Sequence, residues 1–229
     1  MNANPAAPGI RSAAKAKTRE KLLQAAVAIL IEDGYAGFSM NKVAKRAGIA
    51  QPSFYAHFET TDQLLEGLAE DLIGRYLTPI QTTLNAVIAN LNAAEAPALI
   101  QRLLLLAFNV VKSQQRLVRM VWSEREQRVS PFGERLRVLF IDIKQSWAKV
   151  LLEIGLVPND VEHLLKLQLF MDSIFALFEA YASAWLDGRY SDEKMLAEHL
   201  SDYVLHYWQD EINAFFAQKT LQKNFQPNH

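Results

Sequence analysis

Gln51, Pro52, Ser53, Tyr55 and His57 fall within seven consecutive residues and share one chemistry. They are polar or aromatic, uncharged at neutral pH apart from a protonatable His57, and rich in donors and acceptors. A helix face that only keeps a protein in solution carries charged side chains instead. Glutamine bonds adenine bidentately in the major groove, and an apolar ring such as that of proline can rest on a thymine methyl. Pro52 fits the first turn of a helix, where a backbone N–H has no partner. It disfavours helical angles at Gln51. The spacing therefore predicts a short helix from Pro52 through Phe58, with Gln51 at its cap and aimed from the tip, where base edges are read.

That helix needs a partner to hold it. Ser39 is suited to cap a preceding helix. Val43, Ala44 and Ala47 give this helix a small apolar stripe, and Gly48 ends it at once. Ile49 plugs the turn, and Phe54 and Phe58, four apart, turn inward. The unit is about twenty residues, the size of a helix-turn-helix. A first helix from near Ala14 to Asp33 packs against the pair through Leu22, Leu23, Ala26, Ile29 and Leu30, with Gly34 as its stop. Thr60-x-x-Gln63 is a capping-box pattern. It opens a long helix that Thr78-Pro79 breaks or bends.

These residues resemble the TetR family of one-component transcriptional regulators. The match begins at Thr18-Arg19 and runs through Leu22, Ala25, Ala26, Gly34, Phe38, Ser39, Val43, Ala44 and Ala47-Gly48-Ile49. It continues through Phe54-Tyr55, His57-Phe58 and Leu64-Leu65, and covers roughly residues 15 to 75. Two positions depart from the pattern. Ala50 stands where members often have a serine cap, and Thr61 where many have a phosphate-contacting lysine. The resemblance implies an all-α protein, with a three-helix DNA-binding head joined to a larger helical body that binds an effector and dimerises. It implies a repressor that leaves a palindromic operator when a small apolar effector binds. Alternatives are a ligand-independent dimeric regulator, an activator and, more remotely, an all-helical enzyme. Lys17, Thr18, Ser39, Met40, Lys42 and Thr61 join Gln51, Pro52, Ser53, Tyr55 and His57 as the expected DNA contacts. His57 is assigned to phosphate.

Charge agrees with a nucleic-acid partner at one end. Residues 1–58 hold eight lysines and arginines against three acids, a balance of +5, whereas the rest of the chain stands at −6. A basic head on an acidic body suits DNA, because phosphate neutralisation supplies much of the affinity. Residues 1–14 are expected to be a disordered basic arm, 15–60 the helix-turn-helix domain, 61–220 the body and 221–229 a flexible tail. There is no cysteine, and the apolar run from Leu103 to Phe108 is short of the roughly 20 residues of a membrane span. The reading is a cytoplasmic protein without membrane contact.

The body reads as five helices, starting near Pro97, Gln114, Pro131, Asp160 and Ser191, the last running unbroken to about Gln218. From 160 to 187 apolar residues surround the helix, including Val161, Leu164, Leu165, Leu169 and Phe175. Such a helix is buried on more than one side. Ala176, Ala180 and Ala184 repeat every four residues and let another helix come close. Together with Phe175, Tyr203, Tyr207 and Trp208 they are the expected two-fold dimer interface. Two recognition helices would then lie about 34–36 Å apart and read a palindrome.

The effector pocket that the resemblance implies is placed at Phe108, Met120, Trp122, Phe140, Trp147, Phe170 and Phe178. Arg116, Arg119, Arg125, Arg128, Arg135 and Arg137 are dense near one end. The segment 116–130 faintly resembles members that sense fatty acyl thioesters. A solvated helix face accounts for the same arginines. No HExxH, Gly-rich phosphate loop or GxSxG is present. His199 and His206 share a helix face without a third ligand at zinc spacing. We expect no cofactor, no metal site and no catalytic residue.

Overall fold

The structure is a computed structural model, and it describes residues 8–89, 95–127 and 130–224. Every regular element among them is helical. The chain divides into two compact units.

The first unit comprises residues up to Arg75 together with Arg116–Leu139. Its scaffold is α1 (Pro8–Asp33). Leu22, Leu23, Ala26, Ile29 and Leu30 are all buried along one face, as their spacing predicts. The helix begins at Pro8, ahead of Ala14, and so takes in half of the expected arm. The sequence Ser12-Ala-Ala-Lys-Ala-Lys explains this, since alanine and lysine are strong helix formers.

A single 3-10 turn (Tyr35–Gly37) leads to α2 (Met40–Ala47) and α3 (Gln51–Tyr55). The Ser39 hydroxyl accepts from the Lys42 N–H at 3.3 Å and caps α2. Gly48 ends α2 at φ 67°, ψ 33°, a left-handed conformation that a side chain would strain. Phe54 and Phe58 are buried with ring centroids 6.1 Å apart, and the Arg19 guanidinium lies over the Phe58 ring.

Next comes α4 (Thr61–Leu72), with Leu64, Leu65, Leu68 and Ala69 buried. Thr60 Oγ1 accepts from the Gln63 N–H, and Gln63 Oε1 reaches back to the Glu59 N–H, one residue before the usual capping-box partner. The unit also takes in α7 (Gln115–Glu126) from Arg116 on, and the start of α8 (Pro131–Glu153). A boundary at residue 60 is therefore replaced by a larger unit, because α4 packs its apolar face onto α1.

The second unit runs from Tyr76 to Gln115 and from Phe140 onward. The expected break at Thr78-Pro79 takes the form of one wide π-type turn over Ile73–Leu77, followed by α5 (Thr78–Ala89). Proline lacks the N–H that would continue an unbroken ladder. After α6 (Ala96–Ser113), the rest of α8 and α9 (Val161–Leu186) come α10 (Glu193–Tyr207) and α11 (Gln209–Asn224). Asp160 caps α9 by accepting from the His163 N–H at 3.0 Å. Asp192, rather than Ser191, caps α10.

The single last helix of the sequence reading is in fact two, broken at Trp208. That indole is buried against Phe170, and the Lys166 ammonium lies 4.8 Å from its ring centroid. Burial of the ring sets the local backbone. By length and composition, α6 and α9 are each apolar enough to cross a membrane, which a core or interface helix also satisfies.

Candidate functional site

The helix-turn-helix presents the predicted polar face to solvent. Gln51, Pro52, Ser53 and Tyr55 are all exposed, Tyr55 at 45%. Between them Phe54 is buried and edge-on to Tyr55. One helical turn thus drives a phenyl ring into the core and leaves four readable side chains outside. Helix α3 departs from expectation in its limits: it starts at Gln51 and stops at Tyr55. Ala50 holds the cap position without a side-chain bond, as its type dictates. Its carbonyl accepts from the N–H groups of both Ser53 and Phe54, which holds Gln51 helical despite Pro52. Gln51 Nε2 donates to Asn41 Oδ1 on α2. The glutamine is therefore oriented by a residue the sequence reading missed; Asn41, one turn before the Lys45-Arg46 pair, was the available signal.

His57 lies beyond α3 in the following turn, its N–H donating to the Phe54 carbonyl. It is half-buried, and its buried Nδ1 has no hydrogen-bond partner among the described residues. Burial holds its pKa below the ordinary value, and the charges of Lys15 and Arg19 act in the same direction. The imidazole is thus held neutral near Phe58.

Two cations of α2 beside this face are already paired. Lys42 Nζ donates to the Gly37 carbonyl at 2.7 Å and to Asp33 Oδ2 at 3.1 Å. Arg46 makes a two-pronged pair with Glu32 at 2.5 and 2.7 Å. That hydrogen bond holds the Glu32 carboxyl below the usual range. Lys17 is exposed; Thr18 is half-buried and donates to the Ala14 carbonyl. Ser39, Met40 and Thr61 are half-buried, and Ser39 is committed to its cap.

The residues assigned to an effector pocket fall in both units. Met120 and Trp122 belong to the first unit, and the other five to the second. Phe108 is buried against Phe178 and Trp185, with centroids at 5.0 and 5.7 Å. Phe170 belongs to a separate cluster with Met171 and Trp208, on which Trp147 packs. Phe140 is half-buried.

Arginines near these residues have internal partners. Arg125 bonds Glu126, Arg135 pairs with Glu66, and Arg137 pairs with Glu134 while donating to the Arg125 carbonyl. Arg116 and Arg119 are exposed, and Arg128 lies outside the described residues.

The residues of the expected interface differ in exposure. Ala176 and Ala180 are exposed, but Ala184 and Trp208 are buried within the chain's own core. Phe175, Tyr203 and Tyr207 are half-buried against that same core. Aromatic rings of this size were claimed by the nearest apolar neighbours. The open apolar surface of α9 lies at Val161, Leu165 and Leu169, spaced by four and 86%, 58% and 55% exposed.

Comparison with known proteins places the first unit. The family model for bacterial regulatory proteins of the tetR family matches residues 22–68. An HTH-type transcriptional regulator of Bacillus subtilis (strain 168), YvdT, is 36% identical over 66 residues. That match spans 29% of this chain and 34% of the relative, about a third of its length. The fatty acid degradation regulator FadR from Bacillus halodurans is similar in fold, with a TM-score of 0.59 and 18% identity over 90% of this chain and 97% of that one. The transcriptional regulator FadR from Bacillus subtilis, solved with stearoyl-CoA, has a TM-score of 0.57 and 17% identity over 80% and 95%. The buried Phe54–Phe58 pair, the Ser39 and Gly48 caps and the matched segment agree: residues 22–68 form an N-terminal helix-turn-helix similar to that of bacterial regulatory proteins of the tetR family.

Proposed function

We propose that the chain is a cytoplasmic, homodimeric transcriptional regulator that binds a palindromic DNA site through α3 and acts as a repressor. The observation that carries this reading is the exposed, uncharged face of Gln51, Pro52, Ser53 and Tyr55 around a buried Phe54. Gln51 is the base-reading side chain, and Tyr55 and Ser53 flank it. Lys17 and Lys42 serve the backbone, Lys42 by exchanging Asp33 for a phosphate. The second copy covers the α9 stripe of Val161, Leu165, Leu169, Ala176 and Ala180. Selection of bound sequences from random duplexes, at stated salt, tests the reading. A palindromic consensus supports it, and no enrichment removes it.

The effector in this reading is a small apolar molecule, with a fatty acyl thioester as the candidate because a similar fold was solved with stearoyl-CoA. It acts by binding one head spacing better than another. Long-chain acyl-CoA should then weaken binding to the selected duplex and shift the thermal midpoint; if neither moves, the acyl class is wrong. One observation favours a second reading, a regulator without effector: Phe108 and Phe170 are both buried by aromatic neighbours of their own chain.

A further inference from the structure

A buried carboxylate joins two turns of the first unit. Glu124, near the end of α7, is only 4% exposed. Its two oxygens go in different directions. Oε1 accepts from the Tyr35 N–H at 3.1 Å, in the turn between α1 and α2. Oε2 accepts from the Ser130 hydroxyl at 3.1 Å. Ser130 Oγ in turn accepts from the Gly133 N–H at 3.1 Å and so caps α8.

Backbone packing fixes the same place. A Cβ at Gly133 would lie 2.1 Å from the Glu124 carbonyl oxygen and 2.9 Å from that of Gln127. Only glycine lets the first turn of α8 sit this close to the end of α7. Arg137 adds a clamp, donating to the carbonyls of Arg125 and Gln127 at 2.7 and 3.2 Å. The end of α7 and the start of α8 are therefore held together as one block, with a carboxylate oxygen extended to the Tyr35 amide.

The α1–α2 turn receives this contact on one side and the DNA-reading pair on the other. Lys42 of α2 donates to the Gly37 carbonyl, two residues after Tyr35. Asp33, just before the turn, holds the same ammonium. Any shift of the α7–α8 block that carries Tyr35 with it reaches α2 through a three-residue 3-10 turn with little slack.

We propose that Glu124 is the positioning residue through which the α7–α8 turn sets the α1–α2 turn, and with it the pose of α2 and α3. The consequence for DNA rests on the function proposed above; the structural link does not. A carboxylate suits the task, because both groups facing it are donors and a buried donor left unmet is costly.

Amide hydrogen exchange on the full chain tests the link, alongside affinity for the selected duplex. E124L removes both acceptors. It should speed exchange across residues 35–47 by about tenfold or more and weaken duplex binding by a similar factor. S130A removes only the arm to α8; it should speed exchange in residues 130–137 and leave 35–47 and duplex affinity within about twofold. E124Q keeps an acceptor for Tyr35 and should behave as the parent across 35–47.

The proposal is overturned if E124L and S130A give the same profile confined to 130–137, or if E124L leaves 35–47 unchanged. Should E124L not fold, Y35P compared with Y35A removes the N–H donor alone. Proline fits the first position of the turn, so faster exchange in α2 for Y35P only is expected, and equal profiles overturn the link. A parent protein that selects no duplex would defeat the proposed function, while the exchange contrast would still decide the role of Glu124.

Discussion

The two units handle apolar surface differently. In the first, the helix-turn-helix region closes its own core: Leu22, Leu30, Phe54, Phe58 and Leu64 are all buried, and its polar groups are tied by caps and ion pairs at the surface. In the second, α9 is apolar around most of its circumference, yet Val161, Leu165 and Leu169 stand in solvent. A closed core is stable by itself and can be carried as a module. An open apolar stripe calls for a partner. Under the proposed function, the contrast assigns DNA reading to the module and pairing to the body.

The largest expected effect tests the closed core. Phe54→Ala should cost about 3–5 kcal/mol by removing a buried ring, seen as a lower urea midpoint and loss of duplex binding. A loss under about 1 kcal/mol would mean that the head leans on something else for stability. Next, a double change of Leu165→Glu and Leu169→Glu should move sedimentation from dimer to monomer, raising the dissociation constant more than about a hundredfold, with helicity unchanged. A dimer that survives it places the interface elsewhere.

Smaller effects separate reading from holding. Gln51→Ala should cost about 1–3 kcal/mol of duplex affinity and relax one base position, with the urea midpoint unmoved. Lys42→Ala should weaken all sequences alike, which a competition assay against unrelated duplexes would reveal. The smallest concerns His57, whose native pKa lies below its ordinary 6.5. The unfolded chain then binds the extra proton first, so stability should fall as pH drops through about 6.5 toward the native value. His57→Gln should remove that slope, worth under about 1 kcal/mol at pH 6; an unchanged slope assigns it to another group.

Much of the first unit was legible because its signals are local. Ser39, Gly48, Thr60 and Gln63 act within a few residues of themselves, and Phe54 with Phe58 needs only the helical repeat. The second unit was less legible. Nothing near Trp208 announces a break, since neither proline nor glycine is present there and the apolar repeat runs on; Phe170, thirty-eight positions away, decides it by burying the indole. Composition likewise marks Phe108 and Phe170 as apolar without saying that they join different clusters. Glu124 lies in a run of charges, Glu-Arg-Glu, that reads as solvated face. Its burial depends on the Tyr35 amide, eighty-nine residues earlier.

The pairing of Lys42 with Asp33 and of Arg46 with Glu32 also bears on how such a head meets a polyanion. DNA holds a condensed layer of small cations, and each one expelled by a protein charge makes binding steeper in salt, by about 0.9 in the log–log slope per phosphate neutralised. A lysine that arrives already matched to a carboxylate is half neutralised before the encounter. When phosphate takes the place of Asp33, the freed carboxylate stays beside the duplex and recruits cations of its own. In the proposed complex the head thus brings built-in counterions, and its salt slope counts fewer phosphates than it touches.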